Sequence, residues 1–371
     1  MSLIHAPRVL VLCTVGTGLD AVAEVLRQGG NIRAVVGVHP DKVDPLSISG
    51  WIDVAVFCRK WGIAHLYVDR YDLKSETDRQ ALEAVEFDLV WVSGWQRLVP
   101  SWLIERPSLG VLGAHGSPDG IFGGRGRSPQ NWAIMLGCRQ FSIALFRITT
   151  GVDDGPIVAQ RSFFYEDFDD INVSYKKAAL CVGEMMTEVL RNPDLLQQAQ
   201  PQPTGASYYP QRKPEDGFVD WKLSRYEIWA HCRALTRPYP GLRSRTHQGQ
   251  EIVIWRCQPF DDRVDAAPGT ISFVFEDGSF LVCCGDGRVL VSDYEVSDRN
   301  YYPSPKQLLL SQDFAITMQK IIEAHRAKHP DKPLARRICS KACFALPEIR
   351  PVDTGKISSS PTPMTFERTE C

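Results

Sequence analysis

The sequence predicts an α/β protein, a mostly parallel sheet covered on both faces and followed by a smaller β-rich domain. Two observations carry this. Over residues 1–200, short and continuously apolar runs such as "RVLVLCTV" and "IRAVVGVH" alternate with helical patterns, and strands apolar on both faces belong to parallel sheets with helices on each side. After the polar, proline-containing "DLLQQAQPQPTGAS" the strands become short and are separated by the turns "EDGS" and "GDGR", as in an antiparallel unit.

In chain order, "RVLVLCTV", "IRAVVGVH", "AHLYV", "FDLVWVSGW", "LGVLGAH", "FSIALFRI" and "GPIVAQRSF" read as strands. "GLDAVAEVLRQGG", "DVAVFCRKWG", "DRQALEAVE", "SPQNWAIMLG" and "NVSYKKAALCVGEMMTEVLRN" read as helices between and after them. The second domain, residues 205–296, contains "EIVIWRC", "GTISFVF", "SFLVCC" and "RVLVSDY" as strands. A helical extension over 297–346 follows, centred on "PSPKQLLLSQDFAITMQKIIEAHRAKH", and the Ser/Pro/Thr-rich segment 347–371 reads as a disordered tail.

Composition narrows the function. The 371 residues carry 42 Lys+Arg against 44 Asp+Glu, a net charge of −2, which disfavours a partner bound by neutralising phosphates, so nucleic acid is not expected. No apolar run is long enough to span a bilayer. The start reads as a buried strand, not a signal peptide, and the odd count of 11 cysteines suggests free thiols. A cytoplasmic protein is expected; the oligomeric state, a homodimer included, stays open.

Three candidate sites have plain alternatives. Gly16, Gly18 and Ala21 loosely fit a dinucleotide-binding turn, but the second strand ends in histidine instead of an acidic residue, so a tight strand-to-helix turn competes. Cys339 and Cys343 share a four-residue spacing with His325 and His329, which suggests zinc, against a helix face of small residues. "YYPQRKPEDGFVDW" reads equally as a surface loop or a substrate-facing segment. His115 stands out from these. It ends a buried strand, where open α/β sheets bind ligands. A Gly/Ser/Arg loop follows it, and the acidic "GVDDGPI" lies further on. Imidazole suits proton transfer near neutrality, and Asp153 is placed to orient it.

Four stretches, "DLVWVSGWQRLVP", "AHGSPDGIFGGRGRSPQNWAI", "ITTGVDDGPIVAQ" and "PEDGFVDW…RALTRPYPG", resemble the formyltransferases that use 10-formyltetrahydrofolate. That family includes methionyl-tRNA formyltransferase, glycinamide ribonucleotide transformylase and the nucleotide-sugar N-formyltransferases, and "RGRSPQNW" is most similar to the last. The resemblance spans about residues 8–296. It implies a Rossmann-like catalytic domain, an OB-like second domain and a formyltransferase taking 10-formyltetrahydrofolate as formyl donor. The acceptor it implies is a small amine, with a nucleotide-linked amino sugar the leading candidate and tRNA a weaker one. It places the catalytic histidine at His115 and the aspartate at Asp153. It sets the pteridine against the backbone of Arg97, Leu98 and Val99 and the loop Thr150, Gly151, Val152 and Asp153, and it puts Ser117, Arg125 and Arg127 on the acceptor side. Arginine suits a phosphate or carboxylate; the plain alternative for Arg127 is a salt bridge within its loop. No metal is implied.

The chain departs from the family at Gly113, where the family has asparagine, and the loop from Ser117 to Arg125 is longer than the common pattern. The asparagine donates to the oxyanion formed when an unprotonated amine attacks the formyl carbon, and loss of one such donor costs on the order of 10²–10³ in rate. Three explanations compete. A water, a backbone N–H or His115 fills the role; the pocket is enlarged for an unusual acceptor or altered one-carbon chemistry such as donor hydrolysis; or the fold is a non-catalytic binding module. Asn131, on the helix after the loop, is expected to lie too far away to substitute.

Overall fold

The computed structural model describes residues 6–43, 50–298 and 301–339; Cys343 and the expected tail lie outside the described residues. β1 (Val9–Leu12), α1 (Gly16–Arg27), β2 (Ile32–Val38), α2 (Val54–Trp61) and β3 (Ala64–Val68) open the chain. α3 (Glu76–Glu83), β4 (Leu89–Val92), α4 (Ser101–Ile104) and β5 (Val111–Ser117) follow. The loop after β5 holds the short α5 (Gly120–Gly123) and β6 (Arg125–Gly126), and α6 (Pro129–Met135), β7 (Gln140–Arg147), β8 (Ile157–Phe164) and α7 (Ile171–Arg191) come next. Seven strands form one sheet in the order β3-β2-β1-β4-β5-β7-β8.

Strand alternation sorts β1 between two cores. Val9 and Val11 pack with Leu19, Val22 and Val25 of α1 and with Met185, Met186 and Val189 of α7. Leu10 and Leu12 pack with Leu82 of α3 and Leu103 of α4 on the opposite face. Pairings from β3 through β5 are parallel, whereas β7 is antiparallel to both β5 and β8. Only the loop 148–156 joins β7 to β8, and it contains no helix to carry a parallel crossover. Strand order reverses between β1 and β4, which opens a crevice at the carboxyl ends of these strands. Gly18 is required at this point: a Cβ there would lie 2.0 Å from the Ser93 carbonyl oxygen, and the Ser93 hydroxyl donates to the Gly18 carbonyl at 3.0 Å. The glycine lets α1 press on the turn after β4.

β9 (Tyr208–Tyr209) pairs with β6, bringing the linker back to the loop after β5. α8 (Arg225–Leu235) precedes a five-stranded antiparallel sheet of β10 (Leu242–Arg245), β11 (Glu251–Asp261), β12 (Ile271–Val274), β13 (Phe280–Cys284) and β14 (Gly287–Val296), in the order β10-β11-β14-β13-β12. Its core is continuous with the first unit, since Ile134 and Met135 of α6 pack in one cluster with Trp221, Ile252 and Phe280.

The extension differs from the expected long helix. Leu308 and Leu309 are extended and bridge to Thr270 and Thr246 of the second unit. α9 (Phe314–Lys328) begins only after Asp313, which accepts from the Ile316 N–H, and α10 (Arg336–Cys339) follows. The zinc spacing is also used otherwise. The Nε2 of His325 lies 2.8 Å from the Lys332 carbonyl, Cys339 is exposed, and among the described residues no three His, Cys, Asp or Glu side chains are grouped to hold a metal ion. No helix of the described residues is long and apolar enough to cross a membrane.

One buried base makes this fold acid-sensitive. His231 of α8 is buried, its ring 4.5 Å from that of Phe314. Burial first, and the Arg212 guanidinium second, push its pKa down to about 3. The unfolded chain therefore binds a proton below about pH 6.5 that the folded chain refuses, and stability is lost as the pH falls below that value. Urea unfolding at stepped pH should show a slope of up to about 1.4 kcal/mol per pH unit from this group between pH 6 and 4. A His231→Phe variant should show a shallower slope; equal slopes would exclude His231 as its source.

Candidate active site

β5 carries the site. Its alternation sets Gly113, His115 and Ser117 on one face, and pairing with β7 fixes their level, with Gly113 opposite Phe146 and His115 opposite Ala144. The His115 side chain is 15% exposed. Its Nδ1 lies 3.8 Å from the Asp153 carboxylate, an ion-pair distance too long for a hydrogen bond, and its Nε2 lies 3.2 Å from the Gly124 carbonyl. A carbonyl only accepts, so the second contact is a hydrogen bond when the proton sits on Nε2, which leaves Nδ1 facing Asp153.

Asp153 reaches His115 because the β7–β8 loop folds back tightly. Its backbone is left-handed, with φ of 51°, uncommon for a residue with a Cβ. Thr149 Oγ1 donates to Asp154 at 2.6 Å and accepts from the Gly151 N–H at 3.2 Å. Gly151 and Gly155 have no space for a Cβ, which would lie 1.9 Å from the Asp154 carboxylate and 1.7 Å from the Arg147 carbonyl respectively.

A cleft of about 220 Å³ adjoins the pair. One wall is the turn Gly94–Val99 after β4, the other is Ile148–Asp153, and Gly113 and Ala114 lie between them. Arg97, Leu98, Val99, Thr150, Gly151, Val152 and Asp153 thus line one space, while His115 lies just beyond it, past Asp153. The Gly94–Val99 turn is fixed from outside: Tyr71 Oη accepts from the Gln96 N–H at 2.7 Å, and the Arg97 guanidinium stacks over the Tyr71 ring. Leu98 and Val152 expose apolar side chains on facing walls.

Of the three residues expected on the acceptor side, Ser117 and Arg125 are engaged within the loop and linker. Ser117 is fully buried and closes a turn, donating to the Gly120 carbonyl at 2.6 Å and accepting from the Asp119 N–H at 3.1 Å. Arg125 is 7% exposed and donates to Gln202 at 2.7 Å. Arg127 is exposed, and among the described residues its guanidinium forms none of the ion pairs, so the salt bridge within the loop is not made. Asn131 is buried and donates to the Ala234 carbonyl, away from the cleft. The polar character of Ser117 and Arg125 closes the loop and joins it to the linker. Gln202 was not singled out in the sequence because nothing distinguishes one glutamine in a polar linker.

The Formyl transferase family model matches residues 8–189, and the Formyl transferase, C-terminal domain model matches residues 212–305. The chain belongs to the formyl transferase family. A curated relative, the bifunctional polymyxin resistance protein ArnA of Wigglesworthia glossinidia brevipalpis, is 30% identical over 196 residues, which is 51% of this chain and 29% of that protein. HypX from Aquifex aeolicus, solved in complex with tetrahydrofolic acid, shares the fold at a TM-score of 0.54 and 18% identity, over 86% of this chain and 48% of that one. An N-formyltransferase from Helicobacter canadensis, solved with folinic acid and dTDP-3-aminofucose, shares it at 0.50 and 13% identity, over 77% and 99%. The chain spans less than a third of the curated relative and about half of HypX.

At Gly113, a Cβ would meet Ile148 Cδ1 at 2.9 Å and Phe146 Cζ at 3.7 Å. The nearest atom is the flexible tip of Ile148, a side chain that lines the cleft together with Gly113. Gly113→Asn should therefore be accommodated by a shift of Ile148 at a cost of about 1 kcal/mol or less. Urea midpoints of the wild type and the variant test this; a loss of about 1–3 kcal/mol, the usual cost of overpacking, would show that Ile148 does not yield.

Proposed function

We propose that the protein is a folate-dependent N-formyltransferase that moves the formyl group of 10-formyltetrahydrofolate to the amino group of a small acceptor. The observation that carries this is the approach of His115 to Asp153 at the edge of a cleft, in a chain of the formyl transferase family. The residues present fit the donor. The cleft has backbone walls and apolar lips, with room for a fused bicyclic ring but not for the whole folate. Arg97, Leu98 and Val99 would hold the pteridine on one side and Thr150, Gly151, Val152 and Asp153 on the other.

When bound, the donor supplies an activated formyl carbon. The remaining work falls to this chain. His115 takes the proton that the attacking amine must lose, and Nδ1 is the ring nitrogen with a free electron pair while Nε2 donates to Gly124. The proton is returned to the leaving nitrogen of the donor as the new C–N bond replaces the old one. Asp153 is placed to neutralise the imidazolium formed in between, while the Gly124 carbonyl holds the ring's orientation.

A nucleotide-linked amino sugar is the leading acceptor class, supported by the likeness of "RGRSPQNW" and by the ligand of the Helicobacter canadensis relative. With Ser117 and Arg125 committed elsewhere, Arg127 is the residue of that set free to meet its phosphate. The odd count of 11 cysteines supports action in the reducing cytoplasm. One observation favours a second reading, hydrolysis of the donor: Gly113, which lines the cleft, offers no side-chain donor to the formyl oxygen.

A mass-spectrometric screen of aminated nucleotide sugars and other small amines with 10-formyltetrahydrofolate tests both. Transfer yields a product carrying one formyl group in place of one hydrogen, and His115→Ala should lower its rate about 10²–10⁴-fold. An unchanged rate in that variant would overturn the assignment. Donor consumption that proceeds equally without any amine would establish hydrolysis instead.

A further inference from the structure

We propose that Gln202, in the linker between the two sheets, is the positioning residue that holds Asp153 against His115, with Arg125 fixing the orientation of its amide. The proposal rests on the transfer reading above.

The linker is tied to the β7–β8 hairpin just before this point. Gln200 and Ile157 exchange backbone hydrogen bonds at 2.7 and 2.8 Å. Two residues on, the Gln202 amide nitrogen donates to the Asp153 carbonyl at 2.9 Å and to the Gly155 carbonyl at 2.7 Å. Both donors of one amide are thus spent on the loop that presents the carboxylate. They hold the peptide of the residue whose own backbone is left-handed, a conformation the loop must be kept in from outside.

The amide oxygen points the other way and accepts from the Arg125 guanidinium at 2.7 Å. A guanidinium can only donate and a carbonyl can only accept, so the amide has one satisfactory orientation. Glutamate cannot replace it, because a carboxylate oxygen would then face two carbonyl oxygens. Arg125 directly follows Gly124, whose carbonyl contacts His115 Nε2. Gln202 therefore links the neighbours of both ring nitrogens: the carboxylate facing Nδ1 and the carbonyl facing Nε2. Displacing it frees the Asp153 loop while leaving the Gly94–Val99 wall of the cleft in place.

The test compares Gln202→Ala, Gln202→Glu and the space-filling Gln202→Met in the full-length protein, each checked for its melting temperature. In the formyl-transfer assay kcat should fall about 10–100-fold, as for lost outer partners of a functional ligand, with the melting temperature close to that of the wild type. Glutamate should be no better than methionine. In an Asp153→Asn background, Gln202→Met should add little, because both changes act through the same carboxylate. A purely structural tether predicts the reverse: a lowered melting temperature, unchanged kcat, and additive effects with Asp153→Asn. Wild-type kcat in a folded Gln202→Met variant overturns the assignment of Gln202 alone. Absence of transfer by the wild type overturns the functional reading on which it stands.

Discussion

Everything at this site depends on a loop being turned back on itself. β7 runs antiparallel to β5, so the chain leaving Arg147 has already passed His115 and stands opposite Leu112. For a carboxylate to reach the imidazole, the next residues must reverse direction within a few positions and return. Gly151 and Gly155 permit it by omitting a Cβ where neighbouring atoms lie under 2 Å away. Asp153 sits at positive φ as the consequence. Backbone strain of this kind persists only where surrounding structure over-determines it, and here a linker that belongs to neither sheet supplies that support.

The same logic explains why the second unit and the extension are not appendages. α6 follows the loop after His115, and its apolar residues divide among three clusters, with Ala133 in the core of the first sheet. Ile134 and Met135 join the core of the antiparallel sheet. Trp132 joins Tyr209, Met318 and Ile338 of the linker, α9 and α10. Arg337 of α10 pairs with Asp119 at 2.8 Å, and Tyr209 donates to the same carboxylate. The loop whose Gly124 carbonyl meets His115 is thereby braced by three distant parts of the chain. Removing the extension would bare one side of α6 as well as the pair at Asp119.

Legibility in the sequence followed burial. The strands β1, β2 and β4 are readable because residues buried on both faces leave continuous apolar runs; β5 is readable only in its first half, and it runs on through His115 to Ser117 where the sequence suggests an end at the histidine. The direction of β7 and β8 is not readable, since the composition of a strand is the same whichever way it runs. α8 is masked in the sequence by Arg225, Glu227 and Arg233, which break up its apolar pattern, although Ser224 and Glu227 spell out its capping box. Leu308, Leu309 and Leu310 suggested helix but lie extended, because the second sheet offers their backbone partners that a sequence pattern does not display. At the site, the two backbone segments named from the motifs line one cleft. The side chains of Ser117 and Arg125 differ because a polar group in a glycine-rich loop reads alike whether it faces a ligand or seals the turn.

Gly113 shows how the chemistry has to be distributed. The asparagine that the family resemblance implies at this level would place a side-chain donor on the cleft; here Gly113 and Ile148 line it together. On the transfer reading proposed above, the groups left to act at the formyl carbon are His115, Asp153 and the backbone N–H groups of the two walls. A site with one donor fewer relies more heavily on the placement of the others, and that dependence falls on the backbone contacts that keep Asp153 within reach of the imidazole.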